Sequence, residues 1–363
     1  QMDCRQHLPA VSHAASDSEG ETSRPLRGPS VHVMFRAATA VACTIAAVGT
    51  LSTTAQASST DSTQPAIQRV VTLGDSYSSG SGIHRNASSY DDHGPATHSF
   101  GHSTRLGSSA CQRELDETPG PRFAEQLDAE SVFVACAGAV IREIPAQVRA
   151  AGIRGDGDGT LITMTIGGND LRTERDENWP DALLRCITTA NCDKPPQNQM
   201  ANFDEIRRDL IRTYVAIGDQ YPDVMVRALA YPRLMQSDRW CEGVLGISRN
   251  EADFIDEQVD LLNREIETAT NIARVRTGAD IRYVSVIDEF DNHGACRFWQ
   301  RDRYVNDAVF GDSLRRSKLE DGTIREHWTD GPINVSTASF HPSSSGYDAY
   351  LDALQGSLTA TAG

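Results

Sequence analysis

Five short, almost uninterrupted apolar runs recur along this chain, separated by helix-patterned or polar sequence, and that alternation limits the folds open to it. The runs are Arg69–Leu73 (RVVTL), Ser131–Ala135 (SVFVA), Thr160–Ile166 (TLITMTI), Asp223–Ala230 (DVMVRALA) and Ile281–Ile287 (IRYVSVI). Strands with one wet face alternate apolar and polar residues. Runs without alternation belong to strands covered on both faces, as in a parallel sheet. Helical spacing fills the gaps. Arg249–Arg276 places Phe254, Val259, Leu261, Leu262, Ile266 and Ile272 at helical intervals behind a Ser248 cap. Phe203–Tyr221 reads as a second amphipathic helix and Tyr347–Leu358 as the last, with Ser343–Ser345 available to cap it. The pattern is that of a doubly wound α/β sandwich, in which reactive groups gather at the carboxyl ends of strands. The stretches 77–130, 171–202, 232–247 and 288–340 are long and polar, and they are expected to supply the walls of a binding site.

The first strand does not begin until Arg69, and what precedes it reads as processing sequence. Ala37–Leu51 (AATAVACTIAAVGTL) follows Met34-Phe35-Arg36 and leads to Ala55-Gln56-Ala57. An apolar stretch of this length closed by small residues is the pattern of a secretory signal peptide cut after Ala57. The competing membrane anchor would span a bilayer poorly with so short a stretch of Ala and Thr. The expected organisation is therefore an upstream extension over 1–33, a signal peptide over 34–57, a polar leader over 58–68 and a single domain over 69–363. The net charge is −16. The first 57 residues carry equal numbers of acidic and basic groups, so that charge belongs to the remainder. Such a surface repels phosphate backbones and argues against nucleic acid or an anionic membrane as a partner.

Past the leader stand Cys111, Cys136, Cys186, Cys192, Cys241 and Cys296. An even number in an exported chain fits three disulfides, and six cysteines admit fifteen pairings that spacing does not resolve. Nearest-neighbour pairing is one of them. A zinc site is the alternative, but no CxxC pair is present.

Three of the strands run into unusual sequence. The first leads into Gly74-Asp75-Ser76-Tyr77-Ser78-Ser79-Gly80, where a serine at a strand's end is held on a tight backbone beside free N–H groups. The second leads into Cys136-Ala137-Gly138-Ala139, where glycine lets a backbone N–H approach a ligand. The third leads into Gly167-Gly168-Asn169-Asp170, where an asparagine amide can donate to a developing oxyanion. Just before the last helix lies Phe340-His341-Pro342-Ser343. A serine nucleophile needs a base, since its own hydroxyl barely ionises at neutral pH, and His341 is placed where a loop can return to the end of the first strand.

Taken in order, these four segments resemble the SGNH (GDSL) hydrolase superfamily, whose blocks supply a Ser, a Gly, an Asn and a His. The similarity runs from Arg69 to the C-terminus and is close only in the blocks. The details are most similar to the secreted actinobacterial lipase/esterase branch, in the contexts Ala110-Cys111-Gln112-Arg113, Ala135-Cys136-Ala137-Gly138 and His293-Gly294-Ala295-Cys296. The resemblance implies a three-layer α/β/α sandwich on a five-stranded, flavodoxin-like parallel sheet. It implies the pairs Cys111–Cys136, Cys186–Cys192 and Cys241–Cys296, and no cofactor or metal. It makes Ser76 the nucleophile, His341 the base, and Ser76 N–H, Gly138 N–H and the Asn169 amide the oxyanion hole. The expected substrate is a small-molecule or lipid ester, met by a secreted monomer that does not insert stably in membranes.

One position departs from the family. Where its last block carries Asp-x-x-His, this chain has Ala338. The group that orients His341 is then expected to be the main-chain carbonyl of Ala338, with Asp288 or Asp291 as the side-chain alternative. Other readings remain on the same residues. A carbohydrate acetyl esterase or a phospholipase would use the same fold, with Trp179, Trp240, Trp299 and Trp328 as candidate platforms or packing residues. A metallophosphoesterase would use Asp75, Asn169, Asp170 and histidines such as His98 and His102. A binding protein would leave the serine silent.

Overall fold

A computed structural model of the chain describes residues 66–84, 99–100, 103–104, 111–188, 192–194, 199–236, 241, 247–296, 302–309, 313–318, 324–329, 336 and 338–359. The extension, signal peptide and most of the polar leader expected over 1–65 lie outside these residues, as do His98, His102, Trp240 and Trp299.

The apolar runs form one parallel sheet. Its strands are β1 (Arg69–Gly74), β4 (Glu130–Phe133), β5 (Thr160–Thr165), β6 (Met225–Leu229) and β7 (Asp280–Val284), in the spatial order β4-β1-β5-β6-β7. The chain steps from β1 to β4 in one direction and then through β5, β6 and β7 in the other. Right-handed crossovers therefore put the intervening helices on opposite faces. Helix α2 (Pro119–Gln126) fills the first crossover and packs on α7 (Ser344–Thr359). The return crossovers carry α3 (Ile144–Ala151), α4 (Trp179–Thr188), α5 (Phe203–Gln220) and α6 (Arg249–Thr277), with α5 laid along α6.

Burial on both faces accounts for the unbroken apolar character of β1, β5 and β6, whereas the edge strands β4 and β7 are partly exposed. All six residues of β5 are buried, and Val70, Val71, Leu161, Ile162 and Met164 have no exposed surface. Each such side chain contributes about 1.5–3 kcal/mol relative to an exposed one. Ser248 starts α6 with a capping box, its hydroxyl on the Glu251 N–H and the Glu251 carboxylate on the Ser248 N–H. Ser343 caps α7 without a box, its carbonyl accepting from the Tyr347 N–H and its hydroxyl from the Gly346 N–H.

A second, four-stranded sheet was not legible in the sequence. Strands β2 (Ser99–Phe100), β3 (Ser103–Thr104), β9 (Ile324–Thr329) and β8 (Ser313–Lys318) pair in that order, inside stretches read only as loop walls. The reason is compositional. SLRRSK carries no apolar period, and strands of two residues are too short to carry one.

Candidate active site

The switch in strand order falls between β1 and β5, where ligands bind in open α/β sheets. Gly74 ends β1 at φ +114°, and a Cβ there would sit 2.3 Å from the Thr165 carbonyl oxygen, so only glycine lets the two strand ends close up. Asp75 then caps α1 (Ser76–Ser79), its Oδ1 accepting the Tyr77 N–H at 3.1 Å. Ser76 opens this one-turn helix and is half-buried. Its carbonyl accepts from Gly80 and Ser81, which closes the turn.

Asp75 is buried, and burial raises its carboxyl from 3.8 to about 6. Three donors hold the charge nonetheless: the Thr165 hydroxyl at 2.8 Å, the Tyr77 N–H and the Tyr231 hydroxyl. Tyr231 also accepts the Gly168 N–H at 3.0 Å. One phenol thus joins the Ser76 turn to the turn that bears Asn169. No sequence signal marked Tyr231, because its two partners lie on other strands.

The remaining arms are tied to these. After β4, Cys136 donates its N–H to the Gly74 carbonyl at 3.0 Å, and the turn Cys136–Ala139 carries Gly138 at its half-exposed corner. After β5, Asn169 Nδ2 donates to the Ala139 carbonyl at 3.0 Å. That bond uses one amide proton and orients the other. Asp170 accepts the Ile141 N–H at 3.0 Å, and burial raises its carboxyl to about 7.

The histidine arrives from the far end of the chain. Tyr77 donates its hydroxyl to the Phe340 carbonyl at 2.5 Å across 263 residues, and its ring lies 4.9 Å from that of His341. His341 Nδ1 lies 3.0 Å from the carbonyl oxygen of Ser339. This corrects the expectation for Ala338. The Ala338 carbonyl instead accepts the His341 main-chain N–H at 3.3 Å and the Asn306 amide at 3.2 Å. The reason is local: Phe340 takes φ +59°, and the kinked chain turns the Ser339 carbonyl toward the ring. With a backbone acceptor on Nδ1, neither Asp288 nor Asp291 is needed to orient it. Enclosure of the imidazole lowers its pKa from 6.5 to about 4, against the upward pull of the Ser339 carbonyl. The ring is therefore neutral at physiological pH.

Three disulfides form: Cys111–Cys136, Cys186–Cys192 and Cys241–Cys296. The first fastens the Gly138 turn. Among the described residues, no group of three or more His, Cys, Asp or Glu side chains is arranged to hold a metal ion. Trp179 packs partly buried against the core.

No family model matches the chain. It is 26% identical over 229 residues to Lipase 1 of Streptomyces coelicolor, covering 62% of this chain and 72% of that one. The crystal structure of phospholipase A1 from Streptomyces albidoflavus superposes with a TM-score of 0.52 at 25% identity, over 80% of this chain and 99% of that one. The chain is similar to the SGNH (GDSL) hydrolases of the actinobacterial lipase branch. The fold of the extracellular lipase from Streptomyces rimosus agrees, with a TM-score of 0.52 at 23% identity over 80% of this chain. The likeness to these lipases supports a carboxylic ester hydrolase, and the five-stranded parallel sheet is the α/β fold of the structural neighbours.

Proposed function

We propose that this hydrolase cleaves lipid-type carboxylic esters through an acyl-enzyme on Ser76, with His341 as general base. The observation that carries the reading is the His341 ring packed beside α1 with Nδ1 on a carbonyl acceptor. An Nδ1–H held there leaves Nε2 unprotonated, the tautomer that can take a proton from a serine hydroxyl. A carbonyl stabilises the imidazolium less than a carboxylate would, and the lowered pKa keeps the base unprotonated in the resting enzyme.

Ser76 Oγ attacks the ester carbonyl while His341 Nε2 takes its proton. The tetrahedral oxyanion is held by the N–H groups of Ser76 and Gly138 and by the outer proton of the Asn169 amide. His341 then protonates the departing alcohol. Water, deprotonated by the same imidazole, attacks the acyl carbon and frees Ser76. The lipid character of the substrate is drawn from the lipase and phospholipase A1 relatives. Secretion as a monomer, with the first 57 residues removed, is the cellular setting this reading supposes. The three disulfides fit an oxidising compartment, and among the described residues no helix is long and apolar enough to cross a membrane.

The test is a series of chromogenic esters of increasing acyl length, run on wild type and on Ser76→Ala. Turnover rising with acyl length and lost in Ser76→Ala is expected. A preference for acetyl would move the substrate class to carbohydrate-type esters, and undiminished turnover in Ser76→Ala would end the assignment of the nucleophile.

A further inference from the structure

We propose that Asn306 is a positioning residue, clamping the His341 loop to the turn that follows the Ser76 helix. The inference rests on the reading of His341 as general base. The segment Asp302–Val309 runs antiparallel to the histidine loop, with Val305 bridged to Pro342. Within it, the Asn306 N–H donates to the His341 carbonyl at 2.9 Å, and the Asn306 carbonyl accepts the Phe340 N–H at 3.2 Å. The side chain then divides its two amide protons between the Gly82 carbonyl at 2.8 Å and the Ala338 carbonyl at 3.2 Å. Gly82 and Asn306 are 224 residues apart. One short amide therefore touches both parts of the chain whose separation sets the distance from Ser76 to His341.

The surroundings show why the position needs fixing. Phe340 is held in the left-handed region at φ +59°, a conformation that persists only where neighbours over-determine it. Asn306 brackets it, bonding the Phe340 N–H on one side and the His341 carbonyl on the other. Opposite stands Gly82 at φ +115°, where a Cβ would lie 2.3 Å from the Pro342 carbonyl oxygen and 2.8 Å from His341 Cβ. The imidazole loop is thus gripped between a residue with no side chain and a residue with two donors on a short fork. Aspartate has the same shape but, when ionised, offers no donor to the two carbonyls. Alanine offers none at any pH.

The test uses the purified full chain, a chromogenic ester, and the variants Asn306→Asp, Asn306→Ala and His341→Ala. A base displaced by about an ångström costs on the order of 100-fold in rate, so Asn306→Asp at pH 8 is expected to lose about that much kcat with KM little changed. Arg303 and Asp307 flank the position and are paired with each other at 2.7 Å, so the introduced carboxyl faces the two carbonyl oxygens and titrates high. On lowering the pH toward 5 it regains an O–H donor, and its deficit against wild type is expected to shrink. Asn306→Ala is expected to show the loss without that recovery. A folded Asn306→Ala with wild-type kcat, or an Asn306→Asp deficit equal at every pH, would overturn the proposal. In the wild type the Asn306 Nδ2 protons are expected to exchange slowly with solvent. Fast exchange would overturn the clamp whether or not the variants fold. Wild-type turnover in His341→Ala would instead remove the general base, whereas an inactive His341→Ala beside normal Asn306 variants removes this proposal alone.

Discussion

The Nδ1 atom of His341 faces the main-chain carbonyl oxygen of Ser339 at 3.0 Å, two residues before it in the chain. Because the acceptor is backbone, the Ser339 side chain is dispensable for it. That hydroxyl has another task, bonding both the N–H and the carbonyl of Val309 at 2.9 and 3.1 Å. Ser339→Ala is expected to lower stability by about 1–3 kcal/mol through the unmet Val309 groups, while kcat stays close to wild type. Thermal denaturation and ester turnover on the same sample check this. A collapse of kcat in the folded variant would mean the side chain, not the carbonyl, orients the ring.

The acid limb of kcat/KM reports the free enzyme's base. Enclosure lowers His341 from 6.5 to about 4, so the neutral ring persists in the folded enzyme well below the ordinary histidine range. With His341 as the proposed base, activity is expected to hold to about pH 5 and fall through about 4. The same shift has a stability sign. A depressed histidine contributes stability that is present above 6.5 and lost as pH falls through about 4. An acid limb centred near 6.5 would show that the ring is not enclosed in solution.

Tyr231 joins Asp75 to Gly168, so Tyr231→Phe leaves a buried carboxylate oxygen and a buried N–H each short of a partner. The expected cost is on the order of 1–3 kcal/mol per group. Asp75 already titrates near 6 because it is buried, so its ionisation opposes folding, and the stability it gives is present below 3.8 and lost as pH rises through about 6. Removing a donor to the charged form enlarges that loss. The destabilisation of Tyr231→Phe should therefore be larger at pH 8 than at pH 5, as read by melting temperatures at both. Equal shifts would mean the phenol does not stabilise the charge.

Asn169→Ala removes the amide that bonds the Ala139 carbonyl and that is proposed as an oxyanion donor. Loss of one oxyanion donor typically raises the barrier by about 3–4 kcal/mol, so kcat should fall by roughly two to three orders of magnitude with KM nearly unchanged. Turnover at the wild-type level would take Asn169 out of the mechanism.

Cys111–Cys136 closes a loop with a sequence separation of 25 and fastens the turn bearing Gly138. Chain entropy assigns such a crosslink about 3–4 kcal/mol. Cys111→Ser with Cys136→Ser is expected to lower the melting temperature and also kcat, because the Cys136 N–H holds the Gly74 carbonyl just before the Ser76 turn. A lower melting temperature with unchanged kcat would make the bridge purely structural.

Much of this is legible in the sequence. The five strands of the parallel sheet fall where the apolar runs stand, and in β1, β5 and β6 the run is unbroken because a strand buried on both faces has no polar side to display; the edge strands β4 and β7 are partly exposed. Ser248 and Ser343 cap the helices that the apolar spacing located. The polar strand Ser313–Lys318 escaped notice, since a strand without an apolar face resembles a loop in one dimension.

What the sequence alone determined is the order of elements and the position of Ser76, Gly138, Asn169 and His341 at strand ends or before the closing helix. These follow from hydrophobic period and from chemically distinctive side chains. The acceptor on His341, the Tyr231 link and the Asn306 clamp were decided only in three dimensions. A carbonyl is present on every residue and so carries no signature, and which one meets the imidazole depends on the backbone angles of Phe340 and the packing of chain segments 224 and 263 residues apart.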